Sequence, residues 1–143
     1  MTHAFHLLIK RMMGAVLSVC LGLCLIISPF GQIAEAKYSM SGDYLNDTLT
    51  VARSLQETVS IPDDAEGRIE ADKEAVVLIT DYISRYRNRS QVNSTVSFTT
   101  MQTALNALAG HVKTFPKRPI PQTLKDRLAK ELGEAEKMVT RES

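Results

Sequence analysis

Two groups of side chains in this sequence have residue types that could do chemistry, a lone histidine and a run of carboxylates. His111 is the only histidine beyond residue 6. A metal site usually has several His, Cys or clustered carboxylate ligands, and nucleophilic catalysis requires a base that activates the attacking group. The Glu-x-x-His motif of di-iron bundles does not occur in the chain. The residues therefore predict a non-enzymatic protein with no catalytic residue, metal or cofactor.

The carboxylates lie close together in the middle of the chain, at Asp63, Asp64, Glu66, Glu70, Asp72 and Glu74. Their spacing does not match the loop of an EF-hand calcium site. Arg68 and Lys73 interrupt the run, which is typical of a solvated helix face. We therefore predict a charged surface here rather than a cation site.

Three arginines alternate with other residues in the stretch DYISRYRNRS, residues 81–90. The preceding residues have a helical pattern, so this stretch is predicted to form the last turns of a helix. At about 100° per residue, Arg85 and Arg89 lie on one face and Arg87 points away from them. Two interpretations stay open: the bases complement the helix dipole at its C-terminus, or Arg85 and Arg89 also bind a partner protein.

The charge balance disfavours one class of partner. The 143 residues include 17 basic and 16 acidic side chains, which gives a formal net charge of +1. Proteins that bind nucleic acids usually carry a clear excess of positive charge on one face. The sequence therefore predicts no nucleic-acid binding.

The first 36 residues have the pattern of a secretory signal peptide. A basic start is followed by a nearly unbroken apolar run and by small residues at Ala34 and Ala36. Cleavage is predicted after Ala36, which makes Lys37 the first residue of the mature protein. The predicted domains are a cleaved signal peptide, residues 1–36, and a mature domain, residues 37–143.

Two alternatives concern the same segment. An uncleaved membrane anchor needs roughly 20 apolar residues, and the run from Met12 to Ile27 is shorter. A bacterial lipoprotein site would use Cys24, but it follows Leu23, where a small residue is expected. The predicted mature domain has no cysteine, and it is formally neutral because the first 36 residues hold two of the bases and one of the acids.

Turn-forming residues divide the mature domain into four segments with helical periodicity. The predicted helices cover residues 43–59, 64–88, 97–115 and a segment that starts at Pro121. The predicted core includes Ile79, Ile83, Leu105, Leu108, Leu128 and Leu132. In the second helix the predicted apolar stripe is Ile69, Val76, Ile79, Ile83 and Tyr86, with Tyr82 flanking it.

Four amphipathic helices joined by short connections are typical of an antiparallel up-down-up-down four-helix bundle. The predicted fold class is therefore all-α. In such a bundle the second and fourth helices end where the first and third begin. Arg85 and Arg89 are thus predicted at one end of the bundle. Lys117 and Arg118, weaker candidates for partner binding, are predicted at the other end, where they would form a separate contact.

Four stretches of the mature domain carry a resemblance to one known family: DYLNDTLTVARSLQETVSIPDDA (43–65), DYISRYR (81–87), SFTTMQTALNALAGH (97–111) and RPIPQTLKDRL (118–128). In this order and spacing they closely resemble the small lumenal photosystem II assembly and repair factors of cyanobacteria and chloroplasts. The resemblance extends over essentially all of the mature domain.

The resemblance implies a monomeric, non-enzymatic four-helix protein of the thylakoid lumen that binds the photosystem II core transiently during assembly and repair. It implies docking at the lumenal loop of a chlorophyll-binding inner-antenna subunit, where the protein keeps the site accessible for manganese-cluster assembly. Many cyanobacterial members carry a lipoprotein cysteine at the end of the signal, whereas residues 33–37 here contain none. Membrane association would then be peripheral and would depend on the partner.

The sequence leaves two other function classes open. One is a structural extrinsic lumenal subunit that stays in the mature oxygen-evolving complex. The other is a secreted helical enzyme or metal carrier. Co-purification with manganese-depleted complexes separates an assembly factor from the first class, and metal analysis of the purified protein tests the second.

Overall fold

Four α-helices make up most of residues 39–143, the part of the chain that this computed structural model describes. They are α1, Tyr44–Val59; α2, Arg68–Tyr86; α3, Val96–Thr114; and α4, Gln122–Glu142. Residues 39–143 contain no β-strand. The predicted all-α class is confirmed, and each of the four predicted helices is present.

Local side-chain hydrogen bonds and one glycine set the helix starts. Asp43 caps α1 by accepting a hydrogen bond from the Asn46 N–H at 2.8 Å, and Thr95 caps α3 by accepting from the Phe98 N–H at 3.2 Å. Both bonds satisfy amide groups that have no partner within the helix. The second helix begins later than predicted because Gly67, directly before it, has a left-handed backbone with φ +85°.

Hydrogen bonds between helix ends show the direction of each helix. Thr48, near the start of α1, bonds to Tyr82, near the end of α2, at 2.8 Å between the two hydroxyl oxygens. Ser97, at the start of α3, donates to Glu142, at the end of α4. The hydroxyls of Tyr44 and Ser97 lie 2.7 Å apart, so α1 and α3 begin at the same end. Consecutive helices therefore run antiparallel, up-down-up-down.

The helices enclose one core in ring order: α1 and α3 each contact both α2 and α4. Of the six residues predicted for this core, all are buried except Ile83, which is partly buried against it. The prediction for Tyr82 is wrong, because this side chain is 0% exposed rather than flanking the core. The buried side of α2 is formed by Arg68, Asp72, Ala75, Ile79, Tyr82 and Tyr86.

An ion pair on the buried side of α2 corrects the prediction of a wholly solvated acidic face. Arg68 Nη1 lies 2.7 Å from Asp72 Oδ2, and the two residues are 7% and 4% exposed. Arg68 also donates to the carbonyl oxygens of Asp63 at 3.0 Å and Lys117 at 3.4 Å. Burial raises the pKa of Asp72, although the Arg68 guanidinium opposes the shift. The other members of the acidic run are exposed, as predicted.

Candidate functional site

One end of the bundle, where α1 and α3 begin and α2 and α4 end, contains a buried polar network; we call it the arginine end. At its centre is Asp47, in the first turn of α1 and 2% exposed. Its Oδ1 accepts hydrogen bonds from the Ser41 N–H at 2.6 Å and from the Ser41 hydroxyl at 2.8 Å. Its Oδ2 accepts from the Gly42 N–H at 3.0 Å and from the Tyr86 hydroxyl at 2.6 Å. Burial by itself would raise the pKa of Asp47, but these bonds stabilise the carboxylate and the pKa is lowered.

Residues 41–43, which we call the N-terminal strap, are fixed by these bonds although they precede the first helix. Gly42 has φ +90°, a left-handed conformation that favours glycine. The successive N–H groups of Ser41 and Gly42 both donate to the carboxylate of Asp47, as in other backbone sites for anions. The strap therefore has a defined path across the arginine end.

Three tyrosines pack together beside Asp47. The ring centroids of Tyr44 and Tyr86 lie 5.2 Å apart, and those of Tyr82 and Tyr86 lie 5.1 Å apart. Tyr82 and Tyr86 are both 0% exposed, and burial raises the pKa of each hydroxyl. Both phenols therefore stay protonated at neutral pH, and Tyr86 acts as a hydrogen-bond donor to Asp47.

Arg85 and Arg89 both border the strap. Arg89 Nη1 donates to the Gly42 carbonyl oxygen at 3.1 Å, and its guanidinium carbon lies 4.6 Å from the centroid of the Tyr86 ring. Arg85 Nη1 would lie 3.6 Å from a Cβ atom added to Gly42. Arg85, Arg87 and Arg89 are all exposed. The fold thus brings the two predicted docking arginines together at one end, beside the strap.

Glu142 fastens the end of α4 to the start of α3 at the same end of the bundle. Its carboxylate accepts hydrogen bonds from the Val96 N–H at 3.1 Å, the Ser97 N–H at 3.3 Å and the Ser97 hydroxyl. A negative charge at this position also complements the dipole of α3. The surface around the strap therefore rests on helix ends that are fixed to one another.

Lys117 and Arg118 lie at the opposite end, in the loop between α3 and α4, and both are exposed. They are separated from Arg85 by approximately the length of α2, about 28 Å. The Arg118 guanidinium carbon lies 5.0 Å from the ring centroid of Phe115, which is 40% exposed. The two pairs of predicted docking residues are therefore separate surfaces.

The described residues contain no group of three or more His, Cys, Asp or Glu side chains that could hold a metal ion. Nε2 of His111 lies 3.2 Å from the Pro119 carbonyl oxygen, and its ring packs against Phe115. Within residues 39–143, no helix is both long and apolar enough to cross a membrane. The candidate partner-binding residues that the structure describes are the exposed bases at the two ends of the bundle, Arg85 and Arg89 at one end and Lys117 and Arg118 at the other.

Comparison with known proteins identifies the family. The family described as Photosystem II Pbs27 matches residues 9–139. The chain belongs to this family. The resemblance stated from the four sequence stretches is thereby confirmed.

Named relatives of this Photosystem II Pbs27 family member come from cyanobacteria and a plant. It is 41% identical over 133 residues to the photosystem II lipoprotein Psb27 of Synechocystis sp., with 93% of each chain covered. It is 34% identical over 134 residues to the photosystem II assembly factor lipoprotein Psb27 of Thermosynechococcus vestitus, covering 94% of this chain and 98% of the relative. The chloroplastic photosystem II repair protein PSB27-H1 of Arabidopsis thaliana is 31% identical over 112 residues, covering 76% and 64% respectively.

Two solved structures share the fold. The solution structure of Psb27 from cyanobacterial photosystem II has a TM-score of 0.69 at 46% identity, covering 73% of this chain and 91% of that chain. The crystal structure of PSB27 from Arabidopsis thaliana has a TM-score of 0.66 at 31% identity, covering 70% and 98%. The four-helix bundle is therefore the fold that this chain has in common with solved Psb27 structures.

The predicted signal-cleavage residues Ala34, Ala36 and Lys37 lie outside the described residues, so this prediction stays untested. The network around Asp47 was not predicted from the sequence. Its one signal is spacing: counting back from Leu55 in steps of four residues reaches Val51 and then Asp47, so the carboxylate falls on the buried side of α1. No comparable spacing in the sequence indicates that Ser41, Gly42 and Tyr86 donate hydrogen bonds to the buried carboxylate of Asp47.

Proposed function

We propose that this protein is a non-enzymatic assembly and repair factor that binds transiently to photosystem II intermediates on the lumenal side of the thylakoid membrane. The observation that carries the proposal is the family match over residues 9–139. Relatives named assembly factor and repair protein support it, and these names favour it over a structural extrinsic subunit of the oxygen-evolving complex. The bundle also holds one exposed charged residue in place, because Arg89 contacts the Gly42 carbonyl oxygen and the buried Tyr86 ring.

The proposed partner is the photosystem II core, at the lumenal loop of a chlorophyll-binding inner-antenna subunit. Bound there as a monomer, the protein keeps the site accessible while the manganese cluster is assembled. Crosslinking in cells that are repairing photosystem II, followed by mass spectrometry, identifies the membrane subunit in contact. We expect crosslinks to an inner-antenna subunit and co-purification with manganese-depleted complexes. Co-purification only with oxygen-evolving complexes would support the extrinsic-subunit alternative instead.

The proposed location is the thylakoid lumen, with peripheral membrane association through the partner. The signal-like pattern of residues 1–36 supports export. Cleavage after Ala36 leaves a chain without cysteine, so the protein would carry no lipid, unlike relatives that are lipoproteins by name. Intact-mass measurement of the native protein should give a mature chain that starts at Lys37. A diacylglyceryl mass on Cys24 would refute this processing.

The proposed docking residues are Arg85 and Arg89, with Lys117 and Arg118 as a weaker and separate contact. Surface charges mainly change the association rate and its salt dependence. The Arg85→Glu/Arg89→Glu variant should therefore associate with manganese-depleted photosystem II at least about ten times more slowly at low salt, and the difference should narrow at high salt.

A matched control for this experiment is available on α4. Lys130→Glu/Lys137→Glu makes the same change in net charge at two exposed positions outside both proposed surfaces. Circular dichroism should show an unchanged fold for both double variants. If the two variants associate at equal rates, Arg85 and Arg89 are not docking residues, and the alternative interpretation holds, in which they only complement the dipole of α2.

A further inference from the structure

Arg85 and Arg89 are not arranged as a freely solvated basic surface, because buried groups of the arginine end hold the residues around them. We propose that these two arginines form a pre-ordered clamp that binds the carboxylate side chains of a short acidic segment of the protein partner. This inference rests on the proposed function and specifies the chemistry of its docking contact.

The side chain of Arg89 is held on two sides. One N–H group donates to the Gly42 carbonyl oxygen at 3.1 Å, and the guanidinium carbon lies over the Tyr86 ring, 4.6 Å from its centroid. This is the side chain's only hydrogen bond among the described residues. Its other N–H groups remain available in a fixed plane, which suits bidentate binding of a carboxylate. Because its position is already set, less side-chain entropy is lost on binding.

Arg85, like Arg89, lies beside Gly42 of the strap. Its Nη1 would lie 3.6 Å from a Cβ atom added to Gly42, an ordinary van der Waals distance, so the guanidinium lies beside the strap. Neither Arg85 nor Arg89 belongs to an ion pair within residues 39–143. Two exposed guanidinium groups without an acidic partner thus border Gly42.

The buried Asp47 positions Arg89 through the strap. Its carboxylate binds the N–H groups of Ser41 and Gly42 and the Ser41 hydroxyl. That hydroxyl accepts from the Asp43 N–H, which lies in the same peptide plane as the Gly42 carbonyl that Arg89 contacts. Tyr86 connects the buried Asp47 with the exposed Arg89, because its hydroxyl donates to Asp47 while its ring lies under the Arg89 guanidinium. Asp47 and Tyr86 are therefore positioning residues for Arg89.

The surrounding charges favour an acidic protein segment over an anionic membrane surface. Asp43, in the strap, and Asp81, one helical turn before Arg85, are both exposed. A flat anionic membrane surface in contact with the arginines would also lie close to these two carboxylates, and like charges would repel each other. A short segment with a few carboxylates can reach the arginines without covering Asp43 and Asp81.

The test makes the same charge-conserving substitution, arginine to lysine, at Arg89 and at Arg87 and compares the two variants. Arg89→Lys retains the positive charge but removes the planar guanidinium that lies over the Tyr86 ring. Arg87→Lys makes the same change at an exposed position that has no contact with the strap among the described residues. The natively processed protein is bound to immobilised manganese-depleted photosystem II, and both rate constants are measured. We expect Arg89→Lys to raise the dissociation rate about tenfold and Arg87→Lys to change it less than about twofold.

A third variant tests the positioning role. Tyr86→Phe keeps the ring under Arg89 and removes the hydroxyl that donates to Asp47. We expect faster hydrogen exchange at the Ser41 and Gly42 amides, together with faster dissociation from photosystem II. Faster exchange at these amides with unchanged dissociation would overturn the link between the strap and the clamp.

The outcomes separate the clamp from the proposed function. If the unmodified protein does not bind photosystem II, the proposed function fails. If it binds and the Arg89→Lys and Arg87→Lys variants dissociate equally fast, the function stands and the clamp is wrong. Vesicles of phosphatidylcholine and phosphatidylglycerol provide the membrane probe. Binding to these vesicles that is lost in Arg89→Lys would make a lipid phosphate the ligand and overturn the assignment to an acidic protein segment.

Discussion

Replacing Asp47 by asparagine would preserve the shape of this buried side chain while removing its negative charge and changing its hydrogen-bonding capacity. The carboxylate accepts from the Ser41 N–H and hydroxyl at one oxygen, and from the Gly42 N–H and the Tyr86 hydroxyl at the other. A carboxamide has a single acceptor oxygen and an NH2 group that only donates. Since each carboxylate oxygen binds one backbone N–H, the NH2 group must face a strap N–H in either orientation. One partly buried backbone donor therefore loses its partner.

The expected loss of stability follows from this count. An unsatisfied buried donor costs about 1–3 kcal/mol, and a partly buried donor such as these falls toward the lower end of that range. The bonds that remain also weaken, because hydrogen bonds to an ionised acceptor are roughly twice as strong as neutral ones. We therefore expect Asp47→Asn to lower the free energy of unfolding by about 2–4 kcal/mol at neutral pH.

The pH dependence of this difference gives a second, independent check. The folded pKa of Asp47 is lowered, so its carboxylate contributes stability that is fully present above the unfolded pKa, near 3.8, and is lost as the pH falls through the folded pKa. Asparagine does not titrate. The difference between wild type and variant should therefore stay constant from about pH 5 to 8 and shrink below the unfolded pKa.

Urea unfolding followed by far-UV circular dichroism measures both effects, and Asp43→Asn is the matched control. Asp43 is exposed and caps α1, and asparagine caps helices about as well as aspartate. The control should therefore change the unfolding free energy by less than about 0.5 kcal/mol. Equal stabilities for the two variants at neutral pH, or a difference that persists unchanged in acid, would refute the role of Asp47 as a buried carboxylate that holds the strap.

Three further predictions use the same unfolding assay. Leu105→Ala truncates a side chain that is 0% exposed and should lower the free energy of unfolding by about 2–5 kcal/mol, whereas Thr103→Ala on the exposed side of α3 should have little effect. Equal urea midpoints for the two variants would show that Leu105 is not in the core. Arg68→Met leaves Asp72 buried without its partner and should cost about 3–5 kcal/mol, most of which Arg68→Met/Asp72→Leu should recover; a single variant as stable as wild type would contradict the buried ion pair. Glu142→Gln should cost about 0.5–2 kcal/mol by weakening the bonds at the start of α3, and a cost that does not fall with added salt would argue against the dipole contribution.

The sequence alone was sufficient for the architecture. Apolar residues three or four apart identify four helices, and short connections between amphipathic helices leave the antiparallel bundle as the arrangement that buries every apolar stripe. The Asp43 cap could be recognised because its hydrogen bond is made to a residue only three positions away. Helix direction also follows from this reasoning, so the separation of Arg85 and Arg89 from Lys117 and Arg118 was predictable.

Only the tertiary structure decided which polar side chains are buried. Helical periodicity describes residues within one helix, whereas a buried carboxylate or phenol is stable only where partners from other segments converge on it. Tyr86 is 39 positions from Asp47, and Tyr82 is 34 positions from Thr48, so neither partner can be read from local spacing. Arg68 and Asp72 likewise looked like part of a solvated charged run, yet their pairing is buried because the loop carrying Lys117 also contacts Arg68.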